Sequence, residues 1–263
     1  MIGIALAFAT LLAQQPTPAA PAPAGAVVIS IESKALGERR DIWVDAPAGC
    51  AAPAACDTLY VLDAHALFPV ATAYASVMHS MGRLRPIIVV GIPSLSMDDR
   101  IRNFTASASD ADRKRYPNAG GASRFAAFLQ QEAVPAIAAR FSPGPRRVLA
   151  GHSLAGLFAV DALVGGGFDG VIAISPTLGW HDGAVVTRVD RWLRNASTPR
   201  QMHVSVSDGD TEIYRKYFER MESLASLAAA GWLQASFVKR AGEDHVTTFA
   251  PALQQAMLSF FSR

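Results

Sequence analysis

Short apolar segments alternate with longer amphipathic segments along most of this chain. The short segments end at turn residues, which is typical of strands, and the longer ones repeat with the period of a helix. The predicted strands are Val27–Ser33, Arg40–Ala46, Thr58–Leu62, Ile87–Gly91, Arg147–Ala150, Val171–Ile174, His203–Ser207 and Ala235–Val238. The predicted helices are Leu67–Met81, Ser123–Phe141, Leu154–Val164, Val185–Arg194, Glu212–Ala230 and Thr247–Phe261.

This alternation favours an α/β fold with a mostly parallel central sheet and helices on both faces. The first two strands are joined by a polar turn at Gly37, so they predict an antiparallel N-terminal edge. In such a sheet ligands bind at the carboxyl ends of the strands. Functional residues are therefore expected in the loops that directly follow the apolar segments.

Composition is consistent with one folded domain. The chain has 263 residues, of which 51% are hydrophobic and 17% charged, so it can bury a sizeable core and is not a disordered tail. Its 24 basic and 22 acidic residues give a net charge of +2, and no basic run stands out. Nucleic acid is therefore disfavoured as a partner.

The N-terminus has the pattern of a secretory signal. The apolar run Ile2–Leu12 is too short to span a bilayer and is followed by a small residue, which predicts cleavage after Ala13. No Lys or Arg precedes the run. The alternative, a buried N-terminal helix, is disfavoured because Gln14–Gly25 is rich in Pro and Ala. We expect a signal at residues 1–13, a linker at 14–25 and one domain at 26–263, with no stable membrane insertion once the signal is removed.

Cys50 and Cys56, the chain's two cysteines, lie close together between two predicted strands. In an exported protein this spacing predicts a local disulfide, which would contribute about 2 kcal/mol in the chain-entropy model. The spacing is neither a thioredoxin motif nor half of a zinc site. Two unpaired structural thiols are the alternative.

One motif carries the chemistry. Gly151-His152-Ser153-Leu154-Ala155-Gly156 stands between a predicted strand and a predicted helix. A serine on such a sharp turn has its hydroxyl held above the sheet and needs small residues two positions before and after it. Gly151 and Ala155 satisfy that rule, and the helix that begins at Leu154 points free N–H groups at a developing oxyanion. The alternative is a serine that only caps the helix.

Chain order strengthens the catalytic interpretation. A nucleophile of this kind requires an acid after a later strand and then a histidine after the last strand. His245 lies in the loop before the final helix, and Asp208, Asp210 and Glu212 follow the preceding strand. We predict Glu212 as the acid because it fits a G-x-x-D/E arrangement at a helix start, with Asp208 as runner-up. Asp210 is expected to close the turn by bonding nearby backbone N–H groups.

Other residues have expected roles around this centre. His152 would support the pocket wall, and Trp180 would line the acyl or leaving-group pocket or else be a core residue. His65 follows an early strand, where backbone would supply a second oxyanion donor. A metal site is disfavoured because the candidate ligands lack the spacing of a metal motif. Those candidates are Asp208, Asp210, Glu212, His203 and His245. We expect no metal and no cofactor.

The chain resembles the esterases of the α/β-hydrolase superfamily that include the enterobactin-type siderophore esterases. The resemblance covers most of the chain after the linker, and the segments that carry it are TLYVLDAHALF (Thr58–Phe68), PIIVVGI (Pro86–Ile92), part of Arg100–Thr105, FAAFLQQEAVPAI (Phe125–Ile137), GHSLAGLFAV (Gly151–Val160), ISPTLGW (Ile174–Trp180) and GEDH (Gly242–His245). It implies an α/β-hydrolase fold.

The same resemblance implies roles for individual residues. Ser153 is the implied nucleophile and His245 the implied base. The N–H of Leu154 is one implied oxyanion donor, and the N–H of Ala64 or His65 is the other. The chain departs from the family where Ala64 and Ala155 replace frequent glycines and where Asn103 replaces a frequent acidic residue.

The predicted function is cleavage of a carboxylic ester through a covalent acyl-enzyme, without a cofactor. A siderophore lactone, a simple acyl ester and an acetylated-sugar ester are the candidate small-molecule substrates. An acyltransferase of the same fold and a non-catalytic binding module are the alternatives, and the fold alone does not choose between them. The signal predicts a secreted or periplasmic location. No oligomeric state is indicated.

Intact mass tests the export prediction. We expect the mature protein to begin after Ala13 and to take up no alkyl groups unless it is first reduced, because Cys50 and Cys56 are joined. A secreted product that retains Met1, or that gains two alkyl groups without reduction, contradicts it.

Overall fold

The computed structural model describes residues 21–50, 55–106, 108–195, 197–227 and 231–263. The predicted signal and most of the predicted linker lie outside the described residues. Within them the strands are β1 (Val27–Ser33), β2 (Glu38–Asp45), β3 (Cys56–Leu62), β4 (Ile87–Ile92), β5 (Pro143–His152), β6 (Gly170–Ile174), β7 (Arg200–Ser207) and β8 (Leu233–Arg240). Every strand predicted from the sequence is present.

The helices are α1 (Ala64–Ser80), α2 (Met97–Phe104), α3 (Asp110–Arg115), α4 (Ala122–Phe128), α5 (Val134–Ala138), α6 (Leu154–Gly165), α7 (Ala184–Leu193), α8 (Glu212–Leu227) and α9 (Phe249–Phe261). A π-helical turn at Leu129–Ala133 joins α4 to α5, so the predicted helix at Ser123–Phe141 is continuous but not uniform. A short 3₁₀ turn occupies Ala48–Cys50, and Trp180–Gly183 is an irregular turn in which His181 and Asp182 have positive φ.

The strands form one sheet in the order β1-β2-β4-β3-β5-β6-β7-β8. β1 pairs antiparallel with β2, and β2 pairs antiparallel with β4, whereas β4 and the remaining strands are parallel. The predicted mostly parallel sheet with an antiparallel N-terminal edge is therefore confirmed. Because the parallel strands point the same way, the loops after β3, β5, β6, β7 and β8 open at one edge of the sheet.

Both faces of the sheet are covered by helices, as predicted. On one face Leu67 of α1 and Leu253 of α9 belong to a buried apolar cluster with the sheet. On the other face Phe125 of α4, Phe158 of α6 and Phe218 of α8 belong to a larger one. Strands buried on both faces explain the nearly continuous apolar runs in the sequence.

Cys50 and Cys56 form a disulfide, which confirms the predicted pairing. Both residues are buried, and their Cα atoms are 5.3 Å apart. Cys50 ends a 3₁₀ turn and Cys56 begins β3. The bond thus fixes the point at which the chain leaves the N-terminal hairpin and enters the parallel part of the sheet.

Helix α2 was not predicted from the sequence because its residues are mostly polar. Ser96 caps the helix by accepting a hydrogen bond from the Asp99 N–H at 3.1 Å. The Asp99 carboxylate is buried and accepts two bonds from the guanidinium of Arg40 on β2, one at 2.9 Å from Nη1 and one from Nη2. This ion pair attaches α2 to the sheet in addition to the buried side chains of Ile101 and Phe104.

Arg40 and Asp99 each stabilise the charged form of the other. Burial alone would raise the pKa of Asp99, but the hydrogen bonds and charge of Arg40 outweigh it and hold the pKa below its usual value. Burial alone would lower the pKa of Arg40, and the bonds and charges of Asp99 and Glu38 reverse that effect. Both groups are therefore charged in the folded protein.

Removing one partner of this pair should destabilise the fold. We expect Asp99→Ala to lower the free energy of unfolding by about 3 kcal/mol, because it leaves the buried Arg40 without its main counter-charge. Urea unfolding measures the change. Asp190→Ala, which breaks an exposed pair with Arg194, is the control and should leave the unfolding midpoint almost unchanged. Equal stability of Asp99→Ala and wild type would contradict the prediction.

Among the described residues no helix combines the length and the apolar character needed to cross a membrane.

Candidate active site

Ser153 occupies a strained turn between β5 and α6. Its backbone angles are φ 59° and ψ −120°, a region that non-glycine residues rarely adopt. The Ser153 N–H donates to the carbonyl of Ile174 at 3.0 Å, and the Ser153 carbonyl accepts from the N–H groups of Leu157 and Thr177 at 3.0 and 3.2 Å. Hydrogen bonds from α6 and from the segment after β6 therefore hold the strained conformation in place.

The turn is possible only because its flanking residues are small. A Cβ atom added to Gly151 would lie 2.3 Å from the carbonyl oxygen of Ala155, far inside van der Waals contact. One added to Gly156 would lie 3.1 Å from both the Gly151 carbonyl oxygen and the Cβ of Pro176. Ala155 itself is fully buried and fits with its methyl group. The crossing of β5 and α6 thus requires glycine at 151 and tolerates alanine at 155.

His245 is paired with Asp210. The loop after β8 places the His245 Nδ1 atom 2.6 Å from Asp210 Oδ1, and the Asp210 side chain is almost completely buried. The second carboxylate oxygen accepts from the Ser207 N–H at 2.8 Å and from the Ser175 hydroxyl at 2.6 Å. Asp210 therefore closes the turn after β7, as predicted, and also bonds the histidine.

The structure places Asp210 against His245 Nδ1, and not the predicted acid Glu212 or the runner-up Asp208. Glu212 begins α8 with an exposed side chain, and Asp208 is exposed and accepts from the Gly242 N–H at 2.9 Å. Asp210 lies where the chain turns back after β7, so its short side chain reaches His245. The sequence contained one indication of a polar group at this point, because Ser175, which carries a hydroxyl, directly follows the apolar strand β6.

The environment of Asp210 favours its charged form. Burial alone would raise its pKa, but hydrogen bonds from His245, Ser175 and Ser207 outweigh burial and lower the pKa to about 2. Because the pKa is depressed in the folded state, the stability that this carboxylate contributes is complete above its ordinary pKa of 3.8 and is lost as the pH falls to about 2.

The predicted oxyanion donors lie at two neighbouring helix N-termini. Leu154 is the first residue of α6, and Ala64 and His65 are the first two of α1, where backbone N–H groups lack partners within the helix. The preceding strands, β5 and β3, are adjacent and parallel, so both helix ends open at the same edge. The two dipoles favour negative charge there.

An ion pair that the sequence did not reveal fixes the second of these turns. Asp63 caps α1 in a left-handed conformation, with φ 50° and ψ 48°. Its carboxylate accepts from Arg100 Nε of α2 at 2.9 Å and from the Ser94 hydroxyl at 2.6 Å. The conformation that aims the first N–H groups of α1 is therefore held by side chains from the loop after β4 and from α2.

A cleft of about 350 Å³ lies next to Thr177, and Ser153 is not itself among its lining residues. Thr177 lines it, and the Thr177 Oγ1 atom is 3.4 Å from Ser153 Oγ and 3.1 Å from the Tyr214 hydroxyl. Trp180 also lines the cleft and is partly exposed. The remaining lining residues are Ser109, Asp112, Gly179, His181, Asp182 and Ile213. His152, predicted as a pocket-wall residue, does not line this cleft and packs against His245 and Phe249.

A second cleft of about 380 Å³ lies at the opposite edge of the sheet, where Arg146, Arg200 and Trp232 line it at the amino ends of the strands. Only the first of these two clefts is lined by a residue in contact with Ser153, because Thr177 Oγ1 lies 3.4 Å from Ser153 Oγ. Within the part of the chain that the structure describes, no group of three or more His, Cys, Asp or Glu side chains could hold a metal ion.

Comparisons with known proteins agree with this architecture. Residues 33–259 match the esterase family model described as "Putative esterase". The ferri-bacillibactin esterase BesA of Bacillus subtilis is 24% identical over 89% of this chain and 88% of its own length. The siderophore enterobactin esterase of Emericella nidulans is 27% identical over 80% of this chain and 84% of its own.

Solved structures show the same fold. The BES protein from Bacillus cereus superposes with a TM-score of 0.81 at 24% identity, over 92% of this chain and 97% of its own. The IroE-like serine hydrolase from Shewanella oneidensis gives 0.79 at 20% identity, over 90% and 80%. Fold and family together define a carboxylic ester hydrolase with the α/β-hydrolase fold. The chain belongs to the esterase family whose model it matches over residues 33–259.

Substitution at the candidate acid positions tests which carboxylate supports His245. We expect Asp210→Asn to fold and to lose about 10²–10⁴-fold in turnover of a p-nitrophenyl ester, because an amide no longer orients and balances the histidine. Glu212→Gln, two residues away and exposed, is the matched control and should stay close to wild type. The assignment fails if Glu212→Gln or Asp208→Asn abolishes turnover while Asp210→Asn remains active.

Proposed function

We propose that this protein is a serine esterase that works through an acyl-enzyme, with Ser153 as nucleophile, His245 as general base and Asp210 as the acid that orients the base. The observation that carries the proposal is the 2.6 Å bond between His245 Nδ1 and the buried Asp210 carboxylate, at the same sheet edge as the strained Ser153 turn. That bond keeps a proton on Nδ1 and leaves Nε2 to accept one.

In the acylation step Ser153 Oγ attacks the ester carbonyl carbon and gives its proton to His245 Nε2. The tetrahedral intermediate collapses when the carbon–oxygen bond to the alcohol breaks, and the departing alkoxide takes the proton from His245. Water then attacks the acyl-enzyme with the same base, and Ser153 leaves with the proton. Asp210 stays ionised throughout and balances the transient imidazolium charge.

The negative charge that develops on the carbonyl oxygen is accommodated by backbone donors. The N–H of Leu154 and the N–H of Ala64 or His65 are the proposed donors, because they lie at the N-termini of α6 and α1. The Asp63–Arg100 pair supports the second donor by fixing the turn that precedes it. Donors that are fixed in advance need not reorganise during the reaction, which is the source of their catalytic effect.

A siderophore ester is the proposed substrate. Two relatives that cover most of this chain are named as a ferri-bacillibactin esterase and a siderophore enterobactin esterase. A simple acyl ester or an acetylated-sugar ester is the alternative substrate of the same site. The disulfide, which persists in oxidising compartments, supports a secreted or periplasmic location.

Replacement of the nucleophile is the direct test. We expect Ser153→Ala to fold and to lose on the order of 10⁶-fold in turnover, and His245→Ala to lose a similar factor, because the residues act as one unit. A fluorophosphonate should add one phosphonyl group to wild type, measured by intact mass, and none to Ser153→Ala. Ser223→Ala on the exposed face of α8 is the control. Labelling of Ser153→Ala, or retention by it of more than about a tenth of the wild-type rate, overturns the assignment.

The substrate class is tested with matched esters. Turnover of ferric enterobactin and ferric bacillibactin by the wild-type enzyme is compared with that of p-nitrophenyl acetate and of an acetylated sugar. A higher kcat/KM for a ferric siderophore, with the product identified by mass, supports the proposal. A higher kcat/KM for the acetylated sugar replaces the substrate class while leaving the serine mechanism intact.

A further inference from the structure

His152 connects the nucleophile turn directly to the loop that carries His245. It precedes Ser153 in the chain and is the last residue of β5. Its Nε2 atom lies 2.7 Å from the backbone carbonyl oxygen of His245. A carbonyl oxygen can only accept, so the Nε2 atom of His152 carries the proton of this bond.

The His152 ring is neutral at physiological pH. Burial lowers its pKa to about 4, and the neighbouring His245 and Arg100 act in the same direction, while the His245 carbonyl and Asp63 oppose them only in part. A neutral ring is the form this position needs, because a charged His152 would repel the imidazolium that forms on His245 during turnover. The protonation state and the hydrogen bond therefore agree.

The two imidazole rings also pack against each other. Their centroids are 4.6 Å apart, and His152 makes an edge contact with Phe249 at 5.6 Å, so the ring is held between the loop after β8 and the start of α9. The loop has other supports. The Gly209 N–H donates to the Glu243 carbonyl, and Asp244 bonds the N–H groups that follow it. Those contacts join the loop to itself and to the turn after β7, whereas the His152 bond joins it to the turn of Ser153.

We propose that His152 is a positioning residue that fixes the distance between the reacting groups of Ser153 and His245. The proposal rests on the proposed function. Because His152 and Ser153 are consecutive residues, a single hydrogen bond to the His245 backbone sets the base against the nucleophile with almost no intervening chain. A substrate-pocket role would instead act on binding, and the two roles predict different kinetics.

Kinetic comparison of three variants separates these roles. Phe keeps the ring without the donor, Gln carries an amide nitrogen at the Nε2 position, and Asn is one methylene too short to place it there. We expect His152→Phe and His152→Asn to lose about 10²-fold in kcat with KM nearly unchanged, because a small misplacement of the base has that effect. His152→Gln should stay within about threefold of wild type, since it keeps a neutral donor to the same carbonyl.

The matched control is His79→Phe. His79 also bonds a backbone carbonyl, that of Leu84 at 3.2 Å, but at the far end of α1. We expect it to lower the melting temperature without changing kcat. If His152→Phe does not fold, the comparison of His152→Asn with His152→Gln decides. The proposal is overturned if His152→Gln is as impaired as His152→Asn, or if the losses appear in KM alone.

Nuclear magnetic resonance with ¹⁵N-labelled histidine tests the positioning without relying on turnover. We expect His152 to remain the neutral Nε2–H form from about pH 5.5 to 9, and the proton between His245 Nδ1 and Asp210 to give a sharp downfield signal. That signal should persist in His152→Gln and broaden in His152→Asn. An unchanged signal in His152→Asn overturns the positioning role.

Fluorophosphonate labelling separates this proposal from the proposed function. Absence of labelling in wild type, with the expected signals present, means that the proposed esterase mechanism fails while the positioning of His245 stands.

Discussion

The Asp210 carboxylate is the interaction on which the candidate site depends. Its two oxygens accept from the Ser175 hydroxyl, the Ser207 N–H and His245 Nδ1, which belong to the segments that follow β6, β7 and β8. Three loops that are far apart in sequence are thereby joined through one buried charge. Hydrogen bonds from this many donors stabilise the ionised form of the buried carboxylate. The carboxylate can then balance a positive charge on His245.

The antiparallel edge of the sheet supports the same site from the other side. Arg40 on β2 holds Asp99 of α2, and the next residue of α2, Arg100, holds Asp63 at the start of α1. The N-terminal hairpin thus orients α2, and α2 fixes the turn that aims the first N–H groups of α1. The Arg40–Asp99 and Arg100–Asp63 ion pairs, both made by α2, therefore connect the antiparallel edge of the sheet to the proposed oxyanion donors.

Most of the fold could be predicted from the sequence because apolar runs indicate buried strands and glycines indicate sharp turns. All the strands and the Gly151–Gly156 turn followed from patterns of this kind. Helices α2 and α3 were not predicted because they are short and mostly polar, and α2 is held by charge pairing as well as by two buried apolar side chains, Ile101 and Phe104. Glu212 was predicted as the acid, whereas Asp210 bonds His245, because spacing along the chain does not show which carboxylate the turn after β7 buries. Asp210 becomes evident only when Ser175 and His245 are placed beside it.

The left-handed backbone of Ser153 has a consequence for the evolution and engineering of this enzyme. A non-glycine residue in such a conformation raises the free energy of the native state by about 1–3 kcal/mol. Glycine at position 153 would relieve that strain, so the most stable version of this chain is one that lacks the hydroxyl. Selection for thermostability alone would therefore favour loss of the proposed nucleophile, and only selection that also demands turnover would retain it.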